Sequence, residues 1–123
     1  MQRRTAIALG VGLAAMLGLA LPGCGAGPSA SSATPPAAAT VTVTLAGGTA
    51  TPHGDRIDLV RNQHLLLTVT SDRDDQVHVH GFDLEIPVSA GETVTKDIVM
   101  DKVGRFEVES HSPVLTLLVL QVQ

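Results

Sequence analysis

Four side chains in the last fifty residues combine the chemistry and the spacing to hold a metal ion. His78 and His80 stand two apart in Gln76-Val77-His78-Val79-His80. Glu109 and His111 stand two apart in Arg105-Phe106-Glu107-Val108-Glu109-Ser110-His111. Imidazole nitrogens combined with carboxylate oxygens suit Cu(II) or Zn(II). Asp83 is a further oxygen donor close in sequence. The chain has one cysteine, Cys24. That excludes an intrachain disulfide, cysteine-paired zinc sites and haem attached through C-x-x-C-H.

These residues need rigid elements to bring them together, and the elements read as strands. Val41–Leu45, Arg56–Val60, Leu65–Thr70, Gln76–His80, Thr93–Val99, Arg105–Glu109 and Leu115–Val122 are β-rich, and several alternate apolar with polar. Ile86-Pro87-Val88 is a short eighth candidate, and its proline suits an edge. Gly47-Gly48, Ser71–Asp75 and Lys102–Gly104 supply turns. Thr95–Val103 is the most helix-tolerant stretch, with at most one turn. Short strands at this spacing predict an all-β sandwich or barrel.

Side chains alternate across a strand, so period two assigns faces. Val77 and Val79 share one face, His78 and His80 the other. Phe106 and Val108 share one face. Arg105, Glu107 and Glu109 share the other, joined by His111 if the strand continues. With the apolar residues inward, both polar rows face outward or toward one end. Whether the two rows are neighbours depends on the fold.

Val77-His78-Val79-His80-Gly81-Phe82, then Gly104-Arg105-Phe106-Glu107-Val108-Glu109-Ser110-His111, then a terminal apolar strand, resembles a cupredoxin. The resemblance is closest to the shorter cupredoxin-like domains of bacterial exported proteins and covers about Val41–Gln123. It implies a Greek-key β-sandwich of seven to eight strands in which the two motif strands are neighbours. It also implies metal ligands at both motifs. The chain departs from the family at the cysteine. Counted from Gly104, the cysteine position falls at Ser110, or at Glu109 if the strand slips by one. The following loop, His111-Ser112-Pro113, is short and holds no methionine. Blue copper requires a thiolate, so type 1 copper and ordinary electron transfer are excluded. A nitrogen/oxygen site survives: His78 or His80 with His111, plus Glu109 or Asp83.

Other readings compete. A histidine beside Glu107 or Glu109 makes a cross-strand ion pair with no metal, leaving a metal-free scaffold for protein–protein interaction. His78-Val79-His80 followed by Glu85 and Gly91 has the look of a first cupin motif. Asp72 stands where the upstream glycine would be, and the second motif is missing. His53 and His64 read as solvated surface residues. Asp72, Asp74 and Asp75 lack the spacing of a calcium loop and read as a turn. There is no nucleophile elbow and no phosphate-cradling glycine loop, so no catalytic role is expected.

The N-terminus reads as an address. Met1-Gln2-Arg3-Arg4 precedes an apolar run, Ala6–Leu21, which ends Leu21-Pro22-Gly23-Cys24. A basic start, a short apolar stretch and small exit residues describe a signal peptide. The exit resembles a bacterial lipobox, which implies lipidation of Cys24 and an anchor on the outer face of the cytoplasmic membrane. Arg3-Arg4 leaves the twin-arginine export route beside the general one. Residues 1–23 are then the signal peptide, and residues 24–40 are the lipidated cysteine with an Ala/Pro/Ser-rich linker. Residues 41–123 are the domain. The net charge of −4, two Phe, and no Trp or Tyr argue against nucleic-acid partners. The sequence thus points to a membrane-anchored extracytoplasmic binding domain, with a metal ion or a protein as its partner.

Overall fold

The computed structural model describes Ala33–Gln123. The signal-peptide reading, Cys24 and the first half of the linker lie outside the described residues. Nine strands follow in order: β1 (Ala39–Ala46), β2 (Thr49–Thr51), β3 (Asp55–Leu59), β4 (His64–Ser71), β5 (Asp75–Val79), β6 (Leu84–Val88), β7 (Thr93–Val99), β8 (Gly104–His111) and β9 (Val114–Val122). There is no helix among the described residues. The helix-tolerant stretch from Thr95 is instead the end of β7. Eight of the strands match the eight sequence candidates. The ninth, β2, is three residues long, too short to carry a period. It exists because Gly47 and Gly48 take φ of 58° and 77° and pair Ala46 with Thr49. Two central residues at positive φ make the tight hairpin that glycine allows.

The strands form two mixed sheets, ordered β2-β1-β4-β7 and β3-β9-β8-β5-β6. The pairs β1–β4 and β3–β9 are parallel. The others are antiparallel. Alternation drives the packing. Leu65, Leu67 and Val69 of β4 meet Val77 and Val79 of β5, Val108 of β8 and Leu118 and Leu120 of β9 in one core, each with no exposed surface. A bulge opposite Val108/Glu109 puts Leu117 and Leu118 of β9 both inside. Pro87 sits on β6, the edge of the five-stranded sheet, as its missing N–H requires. The outer face of the four-stranded sheet is largely hydroxyl. Thr68 bonds Thr95, and Thr70 bonds Thr93, each at 2.8 Å.

The loop from Asp72 to Asp75 ties down three turns at one end of the sandwich. Asp72 accepts the Gly47 N–H at 2.7 Å, Asp74 accepts the Ala90 N–H at 2.8 Å, and Asp75 accepts the His111 and Ser112 N–H groups at 3.0 Å each. The acidic cluster is therefore engaged with backbone. The Gly47 hydrogen bond, aided by Arg73 at 3.2 Å, holds the Asp72 carboxyl below its ordinary value of 3.8. A group with a depressed folded value stabilises above its unfolded value, and loses that contribution as pH falls through the folded one. Acid unfolding should accordingly be less steep in Asp72→Asn below pH 3.8. Circular dichroism across that range checks this. An unchanged acid limb would mean that the Gly47 bond does not distinguish the ionised form.

Candidate metal-binding face

β5 and β8 are neighbours, with His78 opposite Glu109 and Val79 opposite Val108. Beyond that ladder the His80 N–H donates to the Glu107 carbonyl at 2.9 Å. Because Val77, Val79 and Val108 point inward, His78, His80, Glu107 and Glu109 share the outer face of the five-stranded sheet. β8 continues to His111, so His111 joins the same row. The two rows that the sequence could not place relative to one another lie side by side.

The geometry is close. The His78 and His80 rings are 4.4 Å apart between centroids, tilted by 34°. His111 approaches His78 edge-on, at 6.0 Å and 86°. His80 Nε2 lies 2.8 Å from Glu109 Oε2. His78 and His80 are half-buried and His111 is exposed. All four candidate ligands, His78, His80, His111 and Glu109, are thus gathered on one face. As the side chains stand, no group of three or more His, Cys, Asp or Glu residues among the described residues is arranged to hold a metal ion. His80 is engaged with Glu109 instead.

The remaining candidates lie apart. Asp83 stands in the turn after β5 at a φ of 50°, and no hydrogen bond joins it to the cluster among the described residues. Glu85 is opposite His78 on β6, but its carboxylate takes the side-chain amide of Gln76. His53 is an exposed loop residue. His64 bonds Asp97 at 2.8 Å on the opposite sheet. Both are surface residues, as their sequence surroundings suggest.

Ser110 decides the question of blue copper. It pairs with Val77 on the inner side of the sheet and has no exposed surface. Its hydroxyl donates to the Pro113 carbonyl at 2.8 Å. Of the two positions the resemblance offers for the cysteine, Ser110 faces the core and Glu109 faces out beside the histidines, and neither supplies a thiolate. A type 1 copper centre does not fit.

The sequence reading took Asp75 as part of a solvated turn and did not single out Arg73; the structure corrects it for Asp75, which opens β5. The Asp75 side chain is wholly buried, and Arg73 is about a quarter exposed. The signal was present, because residue 75 has the parity of Val77 and Val79 and so points inward. Only the fold reveals what it meets there.

No family model matches the chain, and no curated protein matches it. Solved structures do resemble it. A copper nitrite reductase from Nitrosomonas europaea superposes with a TM-score of 0.55 at 14% identity, over 70% of this chain and 41% of that one. A multi-copper oxidase from Pseudomonas thermotolerans gives 0.56 at 17%, over 73% and 30%. A copper binding protein solved by NMR in its apo form gives 0.54 at 18%, over 73% of this chain and 98% of that one. This chain spans well under half of the two enzymes and nearly the whole of the small copper binding protein. Two packed mixed sheets with this strand order, matched by copper-protein domains over most of the described residues, give Ala33–Gln123 a cupredoxin-like fold.

Proposed function

We propose that the protein is a membrane-anchored extracytoplasmic binding domain. It takes Cu(II), or another divalent ion such as Zn(II), at His78, His80, His111 and Glu109. It does so without catalysis and without acting as a blue-copper electron carrier. The observation that carries this reading is the gathering of three imidazoles and one carboxylate on a single sheet face. Imidazole and carboxylate favour Cu(II) and Zn(II), whereas thiolate or thioether ligands would favour Cu(I). A bound ion would draw the His80 ring from Glu109 and turn the His78 and His111 rings toward it. The lipobox-like exit at Cys24 supports the anchor, and the fold likeness to copper proteins supports the choice of metal.

A second reading rests on the His80–Glu109 contact. At 2.8 Å, with side chains 45% and 23% exposed, it is a satisfied ion pair when His80 is protonated. Such a pair needs no metal and contributes about 0–1 kcal/mol. The domain is then a scaffold for a protein partner.

Calorimetric titration of Cu(II) and of Zn(II) into the full chain separates the two. Metal handling predicts stoichiometric submicromolar binding. In the triple variant His78→Ala/His80→Ala/His111→Ala it should weaken at least about a hundredfold, or about 2.7 kcal/mol. Equal binding by both proteins, or none by either, would leave the scaffold reading.

A further inference from the structure

His111 is the one histidine of the cluster that β8 carries, and its place is not set by the β5–β8 ladder. That ladder ends at Val77 opposite Ser110. Beyond it, β8 runs one residue to His111 and turns through Ser112-Pro113 into β9. The His111 and Ser112 N–H groups have no backbone partner on β5. Asp75 supplies one. A single oxygen, Oδ1, accepts from His111 N and Ser112 N at 3.0 Å each, and from Gln76 N at 2.7 Å.

The other side of the carboxylate is held as well. Oδ2 lies 3.3 Å from an Arg73 guanidinium nitrogen, and neither atom has another partner. Arg73 Nε in turn donates to the Ser112 carbonyl. The turn that carries His111 is thus gripped at both its N–H and C=O groups from the start of β5. That strand carries His78, and His80 follows its last residue. A wholly buried carboxylate receiving three N–H bonds is strongly specified, because removing it leaves three donors without that acceptor.

We propose that Asp75 is a positioning residue, which extends the β5–β8 pairing past its last backbone bond and so fixes His111 against His78. The geometric claim concerns the metal-free protein. Its consequence for metal affinity rests on the functional reading above.

The test is nuclear magnetic resonance of the full chain without metal, reading the contact between the His78 and His111 rings and the exchange protection of the His111 and Ser112 amides. Asp75→Ala should lose both while the β8–β9 amides of Val108 and Leu118 stay protected. Asp75→Asn, which keeps the Oδ1 acceptor, should retain both. Retention of the ring contact and of amide protection in a folded Asp75→Ala would overturn the proposal. If Asp75→Ala does not fold, Asp75→Asn decides: loss of the ring contact there, with the amides still protected, would show that the acceptor does not position His111. A Zn(II) titration is the second arm. Asp75→Ala should weaken binding about 10–100-fold, as loss of a partner behind a ligand typically does, but should add nothing in a His111→Ala background. Additive losses would mean that Asp75 does not act through His111. Failure of the unaltered protein to bind Zn(II) or Cu(II) would remove the metal-binding reading, and the resonance test of Asp75 would stand on its own.

Discussion

Gly81→Ala is expected to destabilise the protein by about 3 kcal/mol. Gly81 follows His80 at a φ of 79°, and a Cβ there would stand 2.5 and 2.7 Å from two Phe106 ring carbons. Phe106 cannot move freely, since its ring packs against Phe82 at a centroid distance of 4.9 Å. Two costs combine. A side chain in the left-handed region costs about 1–2 kcal/mol, and overpacking adds about 1–3 kcal/mol. Gly48 separates them. It has nearly the same φ, 77°, with nothing within 4 Å of its Cβ position. Gly48→Ala should show the backbone cost alone, about 1 kcal/mol. At roughly 4–8 °C per kcal/mol in a domain of this size, the two variants should differ clearly in Tm. Equal losses would mean that Phe106 yields without penalty.

The second expectation concerns thiolate chemistry. Ser110→Cys should not create a metal-bound thiolate, although the cupredoxin resemblance puts the cysteine at Ser110 or, with a slip of one, at Glu109. The Ser110 side chain points into the core beside Val77, on the side of the sheet opposite His78. Glu109→Cys should create one, because position 109 lies opposite His78 and within reach of His80. Co(II) is the probe, since a thiolate does not reduce it. A thiolate-to-cobalt charge-transfer band is expected for Glu109→Cys. It should be absent from Ser110→Cys and from the unaltered chain, whose one cysteine is Cys24. A band in Ser110→Cys would mean that β8 turns about its axis to expose residue 110. Absence in Glu109→Cys would place the imidazoles out of range of a shared ion.

The local elements of this fold were readable because period two is a strong signal. The alternation of Val77 and Val79 with His78 and His80 assigns faces without any structure. So does that of Phe106 and Val108 with Arg105, Glu107 and Glu109. That Ser110 faces inward comes from the structure, where it stands opposite Val77 with no exposed surface. What parity cannot supply is which strand lies beside which. The pairing of His78 with Glu109 spans some thirty residues. From the residues themselves the two rows could equally have stood on different sheets, and only the resemblance to cupredoxins made them neighbours. The Asp75 clasp was unreadable for the same reason, since an inward aspartate has no identifiable partner until the β8–β9 turn is in place. The acidic run Asp72–Asp75 could be read as a turn, but not as one that secures three other turns.

The parallel pairing of β1 with β4 has a mechanical consequence. The register runs unbroken from Ala39 opposite Leu65 to Leu45 opposite Ser71, and the chain leading back toward Cys24 leaves from the first of these residues. Tension applied along β1 from Ala39 would load the whole ladder in shear, so that its bonds must yield together. In a terminal hairpin pulled from its open end, the same load would open one bond at a time. With the anchor proposed at Cys24, the strand nearest it would be joined to the body in the geometry that best resists drag.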